Sequence, residues 1–421
     1  MSEITITNRE RTYTLFLLVT VFTSSHVDRQ IVAILQEPIK QAFAISDTQL
    51  GLLTGVMFAF FYATLGMPMA MWADRRNRRN LITFSITVWS AMTALCGAAL
   101  QFWQLLIARI GVGVGEAGSN PPSHSIISDL YGPNERATAM AIFGLGVNFG
   151  VMLGYLIGGW VNEWLGWRWA FVVAGAPGLL IALLVRLTMV EPPRGYADGI
   201  TDRPPPPPFW TVVATMWRNS TLRHLLSANI LISFAGYAGI AWAPVYFQRV
   251  HEMSTGESGT WLAIMIGIGG GLGTFGAGYF ADKLGKNNEG WRAWVVTAVT
   301  LIYIRMAILS FLAEDKFAAL FWFAGPAFLG GAYIGTNFAI LQSQLGVEMR
   351  SVGAAINLFL LNIVGLGLGP LTVGIISDWM TPTAGIDSVR YGLLFTVLIM
   401  AWGAIHQFRV GQLLRRAAGQ S

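Results

Sequence analysis

The chain has 421 residues, of which 54% are apolar and 12% charged, with a mean hydropathy of +0.55. Soluble domains carry roughly twice that charged fraction, so a string of globular domains is excluded and a polytopic membrane protein is indicated. The net charge of +5 does not point to nucleic acid, because the basic residues fall where membrane topology places them, and the single cysteine, Cys96, excludes an internal disulfide framework and a thiolate metal site.

In chain order, apolar windows of about 18 residues or more predict membrane-spanning helices near 12–35, 49–72, 80–100, 103–127, 136–162, 168–190, 223–249, 259–281, 292–313, 317–344, 350–376 and 388–411. The windows are continuous and not alternating, which argues against a β-barrel and leaves helices as the spanning element. The first is too long for a signal-peptide core and contains Asp28 and Arg29, so a cleavable leader is not expected.

Sidedness follows from the basic residues. With the N-terminus inside, 19 Lys and Arg lie on inside segments and 5 on outside ones, while Arg29, Arg109 and Arg305 fall within spans. That bias orients a multi-pass chain with both termini cytoplasmic, and a cell (inner or plasma) membrane is the expected location.

The longest polar connection, 191–222, divides the chain into two bundles of six spans at 1–190 and 223–421. It holds Pro192, Pro193 and the run Pro204 to Pro208, a stiff polyproline II spacer. Docking of an SH3-type partner beside Arg203 is the sharper alternative, although tethering two bundles already accounts for the composition. Phe209 to Asn219 reads as a short interfacial helix with Trp210 and Trp217 at headgroup level.

The two bundles repeat. Ala73-Asp74-Arg75-Arg76-Asn77-Arg78-Arg79 follows the second span, and Gly278-Tyr279-Phe280-Ala281-Asp282-Lys283-Leu284-Gly285-Lys286 follows the eighth. Parallel repeats of this kind place a site between the bundles near the bilayer midplane. Both loops resemble the signature loop of the major facilitator superfamily, the second closely, the first with Ala70 and Asn77 where glycines are usual. The resemblance covers the chain and implies an all-α polytopic membrane protein, twelve transmembrane helices in two six-helix pseudo-repeats (the major facilitator fold).

Charges inside spans are costly and face a cavity or a partner. They are Asp28 and Arg29 in span 1, Arg109 and Glu116 in span 4, and Arg305 in span 9. The family fold puts spans 1 and 4 at the central cavity and span 9 at the periphery, which makes Arg305 a structural or snorkelling residue. Along span 4, Ala108, Gly111, Gly115 and Gly118 form a small-residue ridge for close helix approach, whereas Arg109, Gly113, Glu116, Asn120 and Ser123 form a polar stripe. Arg109 and Glu116 are two turns, about 10 Å, apart, so Glu116 is expected to pair with Arg29. Asp28 is then the titrating group, loading or releasing a proton as Arg29 moves. A static buried ion pair is the alternative. His26, one turn from Arg29, either joins this relay or packs at a helix interface.

Gly113-x-Gly115-x-x-Gly118 and Gly271-x-Gly273-x-x-Gly276 fit the dinucleotide pattern but lie inside apolar spans with no preceding strand, so packing explains them. No Walker lysine motif supports ATP-driven transport, and no Ser-His-Asp or HExxH arrangement supports an enzyme. No cofactor or metal is expected beyond a proton gradient. Span 5 carries Gly146, Gly150, Gly154, Gly158 and Gly159 in a spacing that resembles the superfamily's antiporter motif, with Tyr155 in place of its proline; span 11 carries Gly365, Gly367, Gly369, Pro370 and Gly374, where a helix can bend. The second bundle offers uncharged candidates for substrate contact: Asn229, Ser233, Tyr237, Trp242 and Tyr246 in span 7, Tyr333, Thr336 and Asn337 in span 10, and Asn357 and Asn362 in span 11.

Ser25-His26-Val27-Asp28-Arg29-Gln30, Arg109-x-Gly111-x-Gly113-x-Gly115-Glu116-Ala117, Asp74-Arg75-x-Asn77-Arg78-Arg79 and Gly369-Pro370-x-x-x-Gly374-x-x-Ser377-Asp378 together resemble the spinster branch. That resemblance implies a proton-coupled, monomeric secondary transporter of an amphipathic anion such as a lysophospholipid or sphingoid phosphate. Arg29, Arg109, Glu116 and Asn120 would meet its head group. Alternatives are a small organic-anion/proton symporter or multidrug exporter and, in a different class, a channel or a non-transporting membrane sensor. The loop charges are expected to latch the cytoplasmic side, Asp74 with Arg75 and Arg78 capping the start of span 11 near Ser351, and Asp282 with Lys283 capping the start of span 5 near Arg136.

Overall fold

The computed structural model describes residues 6–197, 208–286 and 288–418, the Asp74 and Ala418 side chains excepted. Arg203 and all of the linker run Pro204 to Pro208 except Pro208 lie outside the described residues, as does the Asp74 side chain assigned to a latch. Among the described residues the backbone is helical with short connections, and twelve runs have membrane length. Chain belonging to the first bundle supplies Asn8–Ile34, Asp47–Arg75, Arg78–Cys96, Phe102–Leu130, Pro133–Leu165 and Trp167–Thr188, numbered here spans 1 to 6. Spans 7 to 12 are Ser220–Val250, Thr255–Gly285, Gly290–Leu312, Lys316–Ser343, Arg350–Ala384 and Ser388–Ala418. Span boundaries read from hydropathy fall within about four residues of these, except that spans 11 and 12 run on to Ala384 and Ala418, beyond the expected ends at 376 and 411, because a helix can continue past the hydrocarbon that hydropathy detects.

Several spans are interrupted, and local chemistry explains most of the breaks. Span 4 was expected to be one helix; it is two, Phe102–Glu116 and Asn120–Leu130. Pro121 and Pro122 have no N–H to give to the carbonyls four residues back, so the ladder stops after Glu116 and restarts at Asn120. The single polar stripe from Arg109 to Ser123 is therefore corrected: Asn120 and Ser123 stand on a separate segment from Arg109 and Glu116. Span 10 breaks at the matching place in the second repeat, at Gly330 and Gly331. Spans 2, 8 and 11 each contain a wide π turn, Leu52–Val56, Ala263–Gly269 and Leu361–Leu368. In span 11 the turn precedes Pro370, where the backbone donor is missing.

The chain clusters into two compact units. The first holds residues 6–43, 57–197 and 254–263; the second holds 44–56, 208–253 and 264–418. Spans 2 and 8 are thus shared: the first part of span 2 packs in the second unit and the first part of span 8 in the first, and each change of unit falls at the edge of a π turn.

In the first unit the glycines of span 5 form a close seam with span 1. A Cβ at Gly154 would stand 2.7 Å from the Gln30 Cβ, and Gly146, Gly150 and Gly158 likewise face span 1 at successive turns. Gly111, Gly115 and Gly118 of span 4 face Met92, Trp89 and Ser85 of span 3, so the small-residue ridge is a packing seam. In the second unit Phe209–Arg218 forms a helix that buries Val212 and Met216 against Leu222, Leu225 and Leu345, while Trp210 and Trp217 are exposed.

Candidate functional site

Four ionisable side chains meet inside the first unit. Arg29 of span 1 donates through Nε (2.8 Å) and Nη2 (2.7 Å) to the same oxygen, Oε2, of Glu116 at the end of the first segment of span 4. The two residues paired from sequence do come together. The other oxygen of Glu116 is buried without a hydrogen-bond partner. Arg109, two turns earlier, does not reach Glu116 by any ion pair among the described residues; its Nη1 donates to the backbone carbonyl of Asp28 at 3.2 Å. Arg109 is 2% exposed whereas the Arg29 side chain is 17% exposed, so of the two guanidiniums Arg29 is the one that a solute can meet.

Asp28 is fully enclosed, and no hydrogen bond of ordinary geometry reaches either of its carboxylate oxygens. The Thr93 hydroxyl on span 3, itself without a partner, is the neighbour placed to make one. Trp89 Nε1 and the Ser90 hydroxyl of span 3 and Asn120 Oδ1 are also buried and unpartnered. Such orphaned atoms are rare in folded proteins and concentrate where function needs them. Sequence reading missed the contribution of span 3, whose Ser and Thr residues look like ordinary helix-packing polar groups, and of span 2, whose Phe58 and Tyr62 rings lie 4.9 and 4.6 Å from the Arg29 guanidinium carbon.

His26 stands to one side. Its Nδ1 lies 3.0 Å from the Phe22 carbonyl and its ring stacks edge-on with Phe22, in the seam where Gly150 approaches. That placement is a helix interface.

Among the uncharged candidates of the second unit, Asn229, Asn337 and Asn357 join in one amide cluster, while Ser233, Trp242, Tyr246 and Asn362 donate to backbone carbonyls. Asn337 Nδ2 donates to Asn229 Oδ1 (2.7 Å) and Gln407 Oε1 (3.0 Å), Gln407 Nε2 returns to Asn337 Oδ1 (2.7 Å), and Asn229 Nδ2 donates to Asn357 Oδ1 (2.9 Å). These amides are buried and tie spans 7, 10, 11 and 12 together; Gln407 was not foreseen. Trp242 is buried and donates to the Pro370 carbonyl, and Tyr246 donates to the Ser310 carbonyl. Ser233 returns its hydroxyl to Ile230, Asn362 its amide to Leu358, and Tyr333 and Thr336 are buried. Tyr237 is half-buried.

Among the loop charges, Arg78 is enclosed, ion-paired with Asp129 and Glu191, and donates to Ser125 and the Pro192 carbonyl. It therefore binds the end of span 4 and the residues after span 6 to the start of span 3, within one unit. Asp282 is exposed, 3.7 Å from Arg292. Arg136 donates to the Tyr131 and Ser128 carbonyls, Arg75 and Ser351 are exposed, and Lys283 lies 5.9 Å from the Tyr279 ring.

A second set of carboxylates caps the starts of the two shared spans. In the second unit Asp378 of span 11 accepts from the backbone N–H of Asp47 and Thr48 at the start of span 2, and Asp47, fully buried, receives a forked pair from Arg249 (2.7 and 2.9 Å) and the Ser377 hydroxyl (2.5 Å). In the first unit Glu163 of span 5 accepts from the Gly256 N–H at the start of span 8 at 2.7 Å. Span 5 corresponds to span 11 in the repeat, and span 2 to span 8, so one device occurs twice.

Twelve helices in two repeats, interrupted at matching places and holding buried ion pairs, are the architecture of a secondary transporter. The sequence model of the Major Facilitator Superfamily matches residues 15–370, and the chain belongs to that superfamily. Within it, the chain belongs to the spinster branch. A crystal structure of a bacterial homolog of the human lysosomal transporter spinster, inward-facing and unoccupied, gives a TM-score of 0.87 at 29% identity over 97% of this chain and 98% of that chain. The occupied, inward-facing form gives 0.84 at 30% identity. Protein spinster homolog 1 of Homo sapiens is 28% identical over 90% of this chain and 75% of its own length. An MFS-type efflux pump of Mycolicibacterium smegmatis is 31% identical over 91% of this chain and 88% of its own.

Proposed function

We propose that this secondary transporter is proton-coupled and moves an amphipathic anion, a lysophospholipid or sphingoid phosphate, by alternating access, with both termini cytoplasmic. The observation that carries the reading is the enclosed, unpartnered Asp28 carboxyl beside the Arg29–Glu116 pair. An enclosed carboxyl without a hydrogen-bond partner is the group here to which we assign the transported proton. Two guanidiniums and two carboxylates cancel when both acids are ionised; a proton on Asp28 leaves one positive charge, which an anionic head group at Arg29 offsets. Proton and anion therefore support each other's binding.

Arg29 is the group assigned to the head, because it is the accessible guanidinium and a forked donor suited to phosphate or carboxylate. The lipid-like body follows the spinster resemblance. With both termini cytoplasmic, the Asp378 and Glu163 caps would lie at the outer side and the loop charges at the cytoplasmic side. A second reading, proton-driven export of drug-like compounds, is favoured by the similarity to the mycobacterial efflux pump.

Purified protein in liposomes, given a panel of lysolipids, organic acids and dyes under imposed pH gradients, separates these readings. Lysolipid flux that follows the gradient and is lost in Asp28→Asn supports the first, and flux confined to dyes supports the second. Substrate-dependent flux indifferent to both the gradient and the substitution overturns proton coupling.

A further inference from the structure

The Arg29 guanidinium is not held by Glu116 alone. Its carbon lies 4.6 Å from the Tyr62 ring centre and 4.9 Å from that of Phe58, and the two rings stack 5.5 Å apart at 14°. Both rings belong to the segment of span 2 that begins at Met57, directly after the Leu52–Val56 π turn. Phe58 is buried and its ring also lies 5.4 Å from the Arg109 guanidinium carbon, so one aromatic ring serves two like charges. The electron-rich faces of the rings attract both guanidiniums and lessen the cost of keeping two cations in one enclosed site. The fit is close on the far side too: a Cβ at Gly113 of span 4 would stand 2.8 Å from the Phe58 carbonyl oxygen.

The ion pair itself is lopsided. Nε and Nη2 of Arg29 both point at Oε2, and Oε1 receives nothing. A guanidinium and a carboxylate left to themselves prefer two parallel bonds to two oxygens. With the rings beside it, the guanidinium is turned so that Nη1 is not spent on Glu116.

We propose that Phe58 and Tyr62 are positioning residues that fix the plane of Arg29, the side chain that would meet a phosphate or carboxylate head group, Phe58 through its ring and Tyr62 through both its ring and its hydroxyl. Neither touches the proton carrier's carboxyl by any hydrogen bond, and their effect acts through Arg29. The inference rests on the reading that Arg29 meets the anion, and it deepens that reading by naming what sets the affinity for the head.

The test has two arms, both on the full chain in lipid nanodiscs or liposomes. In the first, protein labelled with 15N at arginine Nε is recorded without substrate, and the Arg29 signal is assigned by its loss in Arg29→Lys. The signal carries a ring-current shift that Tyr62→Phe keeps and that Tyr62→Leu and Phe58→Leu reduce. In the second, uptake of 1-oleoyl lysophosphatidate is measured. Tyr62→Leu raises KM about five- to thirtyfold, the range of one desolvated cation–π contact, with the maximal rate less affected, and Tyr62→Phe, which keeps the ring and loses only the hydroxyl, raises it less than Tyr62→Leu does. An unmoved Arg29 signal in Tyr62→Leu, or a lowered melting temperature with wild-type KM, overturns the inference. If the wild type does not carry lysophosphatidate at all, the substrate reading fails, and the first arm still decides whether the rings position Arg29.

Discussion

The carboxylate of Asp378 accepts a hydrogen bond from the backbone N–H of Asp47 at 2.9 Å and, on its other oxygen, from that of Thr48 at 2.7 Å. By sequence Asp47 belongs to the first repeat, yet residues 44–56 pack in the second unit. A negative charge at a helix N-terminus is stabilising, and a charge-assisted bond contributes about 1.5–3 kcal/mol. Asp378→Asn, and in the other repeat Glu163→Gln, are expected to shift the equilibrium toward the state open on that side by about tenfold or more. Spin-label distances across the loops that precede spans 2 and 8 measure it; unchanged distance distributions in both variants refute the role of the caps.

Asp47 is more demanding. It is fully buried with a forked bond from Arg249, so Asp47→Asn takes away the carboxylate facing a nearly buried guanidinium. Removing one partner of a buried pair costs about 3–5 kcal/mol. The variant is expected to lose thermal stability as well as the closed state, and Asp47→Asn with Arg249→Met to recover part of the stability. A double variant no more stable than the single one contradicts this.

The amide cluster of Asn229, Asn337, Asn357 and Gln407 gives a different outcome. Asn337→Leu strands three hydrogen bonds to Asn229 and Gln407, at about 1–3 kcal/mol for each buried group left unpaired. A lowered melting temperature with an unchanged KM is expected in a combined thermal-shift and uptake measurement. A changed KM with unchanged stability would return these residues to the substrate site.

The seam between spans 1 and 5 depends on absent side chains. Gly154→Val would place its Cβ 2.7 Å from the Gln30 Cβ and 3.0 Å from the Val27 carbonyl, and is expected to abolish monodisperse protein, whereas Gly144→Ala, with nothing within 4 Å, is tolerated. Size-exclusion profiles of the two variants read this directly.

The fold was legible because lipid leaves few options: long apolar runs, a charge bias and one proline-rich division give twelve helices in two sets. The Arg29–Glu116 pair was legible for a related reason, since charges within spans are few enough that each must find another. What escaped was of two kinds. Phe58, Tyr62 and Thr93 are residue types that fill any membrane helix, so their position beside Arg29 and Asp28 is a fact of packing, invisible to composition. The amides of spans 7, 10 and 11 looked like cavity residues because their mutual satisfaction, completed by Gln407 of span 12, depends on tertiary geometry. The break in span 4 is the exception: Pro121-Pro122, three residues after Gly118, carried the signal, and hydropathy overrode it.

The most direct test of proton coupling is the movement of hydrogen ions themselves. Proteoliposomes holding a pH-sensitive dye, with no imposed gradient, are given 1-oleoyl lysophosphatidate, and the dye signal is compared with uptake of the labelled lipid. The account predicts a proton flux that accompanies lipid movement in the wild type and vanishes in Asp28→Asn even where residual lipid exchange persists. Lipid uptake in the wild type with no dye response, or an equal response in Asp28→Asn, contradicts it.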